Sequence, residues 1–266
     1  MTYRGVISDL DGTIYRGEEV IPSTPQTIAE LRQRGCGVVF LSNKPLERRQ
    51  AYAEKLTRLG IPTSSDDVIN SSLVLARYLA NPEHGMAGAK VFAIGEPPLL
   101  EELTAAGLRL SNVPEEIEVV VASFDRTFDY HKLNIGFQAL RRGARFLATN
   151  ADRTCPVEGG EIPDAGAVIG ALEGCSNRQV ELVVGKPSPL IMEMALERLG
   201  LPADACLMVG DRLETDIAMG HRVGMSTALV LSGVTRREDL AHSSIQPDYV
   251  LESIAALRDP KGFQNP

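Results

Sequence analysis

The chain has 266 residues, 44% of them hydrophobic, and a formal net charge of −8. That length and apolar share suffice for a large buried core, or for two domains sharing a cleft. Basic residues cluster no further than pairs such as Arg48-Arg49 and Arg141-Arg142, which argues against a nucleic-acid duplex as a partner.

Short apolar runs alternate with helix-period stretches, a pattern of parallel strands covered by helices. In chain order, a strand is predicted over 4–9. A helix follows, with Pro25 near its start, Ile28 and Leu31 on one face and Gly35 at its end. A strand over 37–42 leads into a helix over 45–59, stopped by Gly60 with Pro62 beyond. Residues 81–88 read as a linker. A second αβ set comes next, with strands over 90–94, 119–123 and 146–149 and helices over 97–106, 132–142 and 165–174. Residues 174–181 read as a second linker. The last stretch holds strands over 182–185, 205–210, 227–231 and 248–251. It also holds a helix over 189–199, with Ser188 as N-cap, Pro189 at N1, and Gly200 and Pro202 as its stop. Two linkers around roughly a hundred residues suggest an inserted domain. The expected organisation is an α/β core over 1–82 and 180–266, interrupted by an α/β insert over 83–179.

Cys36, Cys155, Cys175 and Cys206 form no C-x-x-C pair. They read as idle or buried thiols of a reducing compartment rather than a disulfide framework or zinc site. Tyr3-Arg4 run directly into a core strand, leaving no room for a signal peptide, and no apolar run approaches a membrane span. A cytoplasmic location with no membrane partner is expected.

Four segments carry chemistry, each at a strand end. They are Asp9-x-Asp11-Gly12-Thr13, Ser42-Asn43, Gly185-Lys186-Pro187 and Gly210-Asp211-Arg212-Leu213-Glu214-Thr215-Asp216. Asp9 and Asp11 start on one face of a strand and repel unless a cation separates them or one keeps a proton. Taken singly, each segment has a plainer reading. Ser42-Asn43 could cap a helix starting near Pro45, Lys186 could be a surface lysine, and Asp211 a turn residue. Asp216 could complement a helix dipole. A calcium loop is excluded for Asp9 and Asp11, because position 20 is Val rather than the bidentate Glu. If the strands are parallel, all four segments meet at the carboxyl edge of one sheet, where open α/β folds bind ligands.

Taken together and in this order, the words DLDGTIYRG, LSN, ATNADRTCP, VVGKPSP and GDRLETDIAMG resemble the haloacid dehalogenase superfamily of phosphatases. The match is nearest the NagD-like or 4-nitrophenylphosphatase group, whose cap is inserted between the second and third motifs. The resemblance implies a Rossmann-like parallel-sheet core with an inserted α/β cap. It implies Asp9 as nucleophile and Asp11 as general acid and then base. It also implies a Mg²⁺ ion held by Asp9, Asp211 and the main-chain carbonyl of Asp11, with Asp216 orienting a metal-bound water. Ser42 and the Asn43 amide would hold a phosphate oxygen at a helix N-terminus, and Lys186 would offset the charge of nucleophile and phosphate.

Tyr15 lies in the segment that forms a flap beside the first motif, with packing and substrate contact both open. Asn150, Asp152 and Arg153 to Pro156 match the cap loop that faces substrate, which makes Asn150, Asp152 and Arg153 candidate readers of the leaving group. His84, His131, His221 and His242 fall in no motif and read as surface or packing residues. Two positions depart from the group. Lys44 stands where a second Asn is common, and would either favour a substrate with a second anionic group or point to solvent. Asp164 stands where many relatives have a small residue.

The expected activity is hydrolysis of small soluble phosphate monoesters, sugar phosphates first and p-nitrophenyl phosphate among them. Nucleoside monophosphates or phosphoglycolate are the alternatives. A dehalogenase has no use for the acid-base carboxylate of Asp11. A phosphomutase usually carries its cap between the first two motifs, where Thr13 to Ser23 leaves space only for a flap. A catalytically idle phosphate-binding module is the reading from another class. Relatives of this kind often pair through their caps, so a homodimer is an expectation on which the sequence itself is silent.

Overall fold

The structure is a computed structural model that describes residues 3–157 and 159–258; Met1 and Thr2, where a leader was sought, lie outside them. In chain order it contains β1 (Gly5–Asp9), β2 (Tyr15–Arg16), β3 (Glu19–Val20), α1 (Thr24–Gln33), β4 (Gly37–Ser42), α2 (Arg49–Arg58), β5 (Val68–Asn70) and α3 (Ser71–Ala80). Then come β6 (Lys90–Ile94), α4 (Pro97–Ala105), β7 (Arg109–Leu110), β8 (Val119–Ala122), α5 (Tyr130–Arg141), β9 (Arg145–Ala148), β10 (Thr154–Val157), β11 (Gly160–Pro163) and α6 (Ala165–Ser176). The chain closes with β12 (Leu182–Val183), α7 (Pro189–Leu199), β13 (Cys206–Gly210), α8 (Ala218–Arg222), β14 (Ser226–Val230) and β15 (Tyr249–Leu251). Contacts divide it into two compact units. Among the described residues the first comprises 3–42, 49–69 and 186–258, and the second 43–48 and 70–185. The second unit thus takes in β5's last residue and α3, where the sequence reading drew the insert as 83–179.

The first unit is built on a six-stranded sheet in the order β15-β14-β13-β1-β4-β5. β1 runs parallel to β4 and β13, with Asp9 opposite Leu41 and Ser8 opposite Val209. Its strands are buried along almost their whole length, as in a sheet covered on both faces. Val6, Val38, Phe40, Leu207, Val209 and Ala228 pack with Ile28 and Leu56 of the helices in one buried cluster. Each such Leu or Ile side chain contributes about 1.5–3 kcal/mol by leaving water. The flap expected between Thr13 and Ser23 is a small hairpin, β2 against β3, pairing Tyr15 with Val20.

The second unit carries a five-stranded sheet, β12-β9-β8-β6-β7, with every neighbouring pair parallel. β10 and β11 form a separate antiparallel hairpin. Its core joins Phe92, Ile94, Val120 and Phe146 of the strands to Ile135, Leu140, Val168 and Leu172 of α5 and α6. Two helices begin on side-chain caps, with Asp129 accepting the Lys132 N–H at 2.8 Å and Asn70 accepting that of Leu73 at 3.0 Å.

Several sequence expectations are corrected here. The helix placed at 45–59 begins only at Arg49. Residues 43–48 form a loop instead, tied to the start of α3: Ser71 Oγ donates to Asn43 O at 2.7 Å, and Asn70 Nδ2 to Glu47 O at 3.3 Å. Ser42 and Asn43 therefore end a strand and enter a loop, and no helix N-terminus stands at them. The strand at 182–185 joins β9 in the second sheet, so it is not a strand of the sheet that holds the other three motifs. The linker placed at 174–181 starts as helix, since α6 runs through Ser176 to a left-handed Asn177. Ser188 does occupy the N-cap of α7, but its side chain makes no capping hydrogen bond. Among the described residues, no helix is long and apolar enough to cross a membrane.

Candidate active site

Three elements of the first unit bring acidic side chains to the carboxyl edge of its sheet. Asp9 is the last residue of β1, and Asp211 follows Gly210 at the end of β13. Asp216 sits on a π-helical turn, Leu213–Ile217, the wide turn that often marks functional positions. Asp9 is 7% exposed, Asp211 2% and Asp216 not at all. One carboxylate oxygen from each lies within 4.8 Å of the others. Lys186 bridges two of them: its Nζ donates to Asp9 Oδ1 in a short contact and to Asp216 Oδ1 at 2.8 Å.

Three carboxylates and one ammonium in so little water leave an uncompensated negative charge. Burial pushes the Asp9 carboxyl well above the usual carboxylate range; Lys186 pulls it back, while Asp216 and Asp211 push it further up. Asp211 is pushed up to about 6, first by burial and then by Asp216, with the Val234 N–H opposing. Burial draws the Lys186 ammonium down, but Asp216 and Asp9 more than reverse this and hold it above the ordinary lysine value.

The site is also shaped by missing side chains. A Cβ on Gly12 would lie 2.4 Å from Asp211 Oδ2, and one on Gly233 only 2.0 Å from it. A Cβ on Gly210 would meet Asp216 Cβ at 2.4 Å. The Val234 N–H donates to Asp211 Oδ2 at 2.7 Å, and Ser232 Oγ donates to the Gly12 carbonyl at 2.7 Å. The Arg212 N–H donates to Asp216 Oδ2 at 3.1 Å. Hard oxygen donors, an excess of buried negative charge and glycines that admit the carboxylates fit a small divalent cation. The cluster consists of Asp9, Asp211 and Asp216; the side chain of Asp11 is outside it, and Asp216 belongs to it directly.

The other sequence candidates fall as follows. Ser42, at the end of β4, is 3% exposed. Asn43 belongs to the second unit, where its side-chain Nδ2 donates to Asp152 Oδ2 at 2.9 Å. Asn150 Nδ2 donates to the same oxygen at 2.8 Å and to Asp164 Oδ1 at 2.9 Å. Arg153 is exposed, and its carbonyl accepts the Asp164 N–H at 3.0 Å. Lys44 is half-buried, and its charge reaches Asp164, whose carboxyl burial nonetheless raises. Tyr15 is 1% exposed in the first unit's core, with Lys55 Nζ 4.0 Å from its ring centroid; packing is what the structure shows for it. His84 stacks on Tyr78, and His221 meets Thr227 Oγ1 at 3.0 Å. The sequence reading passed over the segment from Ser232 to Val234. Its only signal was a Ser-Gly pair directly after a strand of the same sheet.

Comparison with known proteins gives the family. The model of the haloacid dehalogenase-like hydrolases matches residues 6–109, and a related HAD-hydrolase-like model matches 183–257. The sugar-phosphatase AraL of Bacillus subtilis is 42% identical over 94% of this chain and 90% of its own length. The structure of a p-nitrophenyl phosphatase from Archaeoglobus fulgidus superposes with a TM-score of 0.89 at 36% identity, covering 96% of this chain and 98% of that one. NagD of Escherichia coli K-12 gives a TM-score of 0.87 at 30% identity, covering 96% and 98%. The chain belongs to the haloacid dehalogenase-like hydrolases, as a phosphatase of the NagD-like and 4-nitrophenylphosphatase group.

Proposed function

We propose that this phosphatase hydrolyses small soluble phosphate monoesters, sugar phosphates first, with Mg²⁺ and through a phosphoaspartate on Asp9. The observation that carries the reading is the buried triad of Asp9, Asp211 and Asp216 with Lys186 bridging Asp9 and Asp216. The name of the sugar-phosphatase relative supports the substrate class. Asp9, Asp211 and Asp216 would hold the Mg²⁺ ion together with main-chain oxygen from Asp11, and the ion would offset the repulsion between a carboxylate and an anionic ester.

In the first step an Asp9 oxygen bonds to phosphorus as the bond to the leaving oxygen breaks, and Asp11 gives that oxygen its proton. In the second, water bonds to phosphorus, Asp11 takes its proton, and the bond from Asp9 to phosphorus breaks to release inorganic phosphate. Lys186 orients the Asp9 carboxylate through its hydrogen bond and opposes the burial that raises that carboxyl. The Ser42 hydroxyl and the Asn43 main-chain N–H hold a phosphate oxygen. The protein is expected to act in the cytoplasm.

The test is p-nitrophenyl phosphate hydrolysis with Mg²⁺ and with EDTA. Turnover is expected only with the metal, and Asp9→Asn should abolish it; wild-type activity in that variant would overturn the nucleophile assignment. Asp11→Asn should lower kcat by about 10²–10⁴-fold with Mg²⁺ affinity retained, as loss of an acid-base group does. Loss of metal affinity alone would remove Asp11 from that role. A panel of sugar phosphates, nucleoside monophosphates and phosphoglycolate then ranks the substrates.

A further inference from the structure

The side chain of Asn43 is already engaged. Its Nδ2 donates to Asp152 Oδ2 at 2.9 Å. Its Oδ1 lies against Gly185 so closely that a Cβ there would stand 2.7 Å from it. The Gly185 N–H in turn donates to the Thr149 carbonyl at 2.7 Å. The same Asp152 oxygen accepts Asn150 Nδ2 at 2.8 Å, and Asn150 also donates to Asp164 Oδ1 at 2.9 Å. Asn150 is 1% exposed and Asp164 4%. Asn150 is a buried amide with both ends engaged, its Oδ1 accepting Thr149 Oγ1 at 2.8 Å, and it holds one orientation because turning it leaves a donor or acceptor unpaired.

These contacts all lie within the second unit, and Asn43 and Gly185 are its first and last residues in the chain. Asn43 directly follows Ser42, and Gly185 directly precedes Lys186. Asp152 thus fastens the residue after the phosphate-binding serine against the residue before the bridging lysine. Asp164 and Asn150 extend the fastening to both ends of the β10–β11 hairpin. A side chain spent in this way is poorly placed to read a variable leaving group.

We propose that Asp152 is a positioning residue, whose carboxylate holds Asn43 against Gly185 and thereby sets the backbone beside Ser42 and Lys186 for phosphate binding, whatever the leaving group. The inference rests on the phosphatase reading and replaces the expectation that Asp152 selects the substrate. It makes the residue's effect a property of the phosphate end, common to every ester. It also makes Asp152 and Asn43 one functional unit, whose substitutions are not additive.

The experiment uses the full chain with Asp152→Ala, Asp152→Asn, Asn43→Ala and the Asn43→Ala/Asp152→Ala pair. kcat and KM are measured on p-nitrophenyl phosphate, a hexose phosphate and a nucleoside monophosphate. Binding of inorganic phosphate is measured by calorimetry in parallel, so the contact can be read even if an ester panel fails. Asp152→Ala is expected to lower kcat/KM about tenfold by the same factor on all three esters, and to weaken phosphate binding. The double variant should be no worse than the weaker single one. Asp152→Asn keeps an acceptor oxygen and should recover most of the loss. An Asp152→Ala effect confined to one ester, additive losses in the double variant, or unchanged phosphate binding would each overturn the proposal. If Asp152→Ala does not fold, Asp152→Asn and Asn43→Ala decide alone: the first must stay near wild type and the second must lose the same factor on every ester. Failure of the wild-type chain to hydrolyse any ester would instead overturn the functional reading, leaving the calorimetric coupling to judge Asp152.

Discussion

At the scale of single residues, the candidate site depends as much on side-chain atoms that are missing as on the carboxylates gathered there. Asp211 Oδ2 is held by the Val234 N–H at 2.7 Å, and Gly233 and Gly12 crowd it from the main chain. Gly233 is the cleaner test, because only space, with no left-handed φ, forbids a side chain there. Gly233→Ala must push either the Asp211 carboxylate or its own loop by an ångström or more. Displacements of that size at a reacting centre lower rates by about 100-fold. The expected result is a kcat reduced to that extent, with a raised Mg²⁺ requirement and a melting temperature near wild type. Gly174→Ala, on the exposed side of α6 with nothing within 4 Å and no left-handed φ, should leave kcat unchanged and serves as the control. Asp9, Asp211 and Lys186 stand out in the sequence through the joint order of the four segments rather than singly, and the structure brings the three together. Gly233 and Val234 do not stand out, since a main-chain N–H and an absent Cβ leave no mark in residue chemistry.

At the scale of elements, the chain announces strands better than their partners. Apolar runs located β1, β4, β6, β8, β9, β13 and β14, but nothing in Leu182–Val183 says that it pairs with β9 rather than with the sheet of β1. The β10–β11 hairpin escaped because its residues are mostly exposed, with no alternating apolar face. The start of α2 falls later than the periodicity predicts, and the side chains that hold the preceding loop, Asn70 and Ser71, lie beyond the helix itself. Element junctions also carry the acid sensitivity of the fold. Asp125, after β8, accepts Lys132 Nζ at 2.6 Å and the Thr127 N–H at 2.8 Å, tying the strand end to the first turn of α5. Burial alone would raise the Asp125 carboxyl, but the hydrogen bonds from Lys132 and Thr127 outweigh it and hold the group below the ordinary aspartate range. A carboxyl depressed in the folded state stabilises the fold above its unfolded value, and that stabilisation is lost as pH falls through the folded one. Urea unfolding should therefore show wild type more stable than Asp125→Asn by about 1.5–3 kcal/mol at pH 7, as expected of hydrogen bonds to a charged group. The difference should close below about pH 4; a difference independent of pH would remove Lys132 from this role.

At the scale of the whole molecule, both sheets and the inserted character of the second unit were legible, because α/β alternation repeats on each side of the break. The boundary was not, since α3 reads like any other helix following a core strand and only its contacts place it with the second unit. What the chain as a whole bears is a stability conflict at the centre of the first unit. Asp9, Asp211 and Asp216 are buried together with only Lys186 bridging Asp9 and Asp216, and both Asp9 and Asp211 resist ionising there. Without a cation this cluster opposes folding, and catalytic groups commonly exact such a penalty. A ligand bound only by the folded state stabilises by about 2.7 kcal/mol at a hundred times its Kd. For a chain of this size, each 1 kcal/mol moves the melting temperature by about 2–4 °C. Wild type should therefore melt several degrees higher in saturating Mg²⁺ than in EDTA. Asp211→Asn removes one of the crowded charges and should reverse the order in EDTA, melting above the wild-type protein by a few degrees. It should then gain nothing from Mg²⁺. A variant that melts lower than wild type in EDTA would show the carboxylate contributing to the fold through its Val234 hydrogen bond more than it opposes it through its charge. A variant still stabilised by Mg²⁺ to the wild-type extent would show that the cation does not use Asp211 at all.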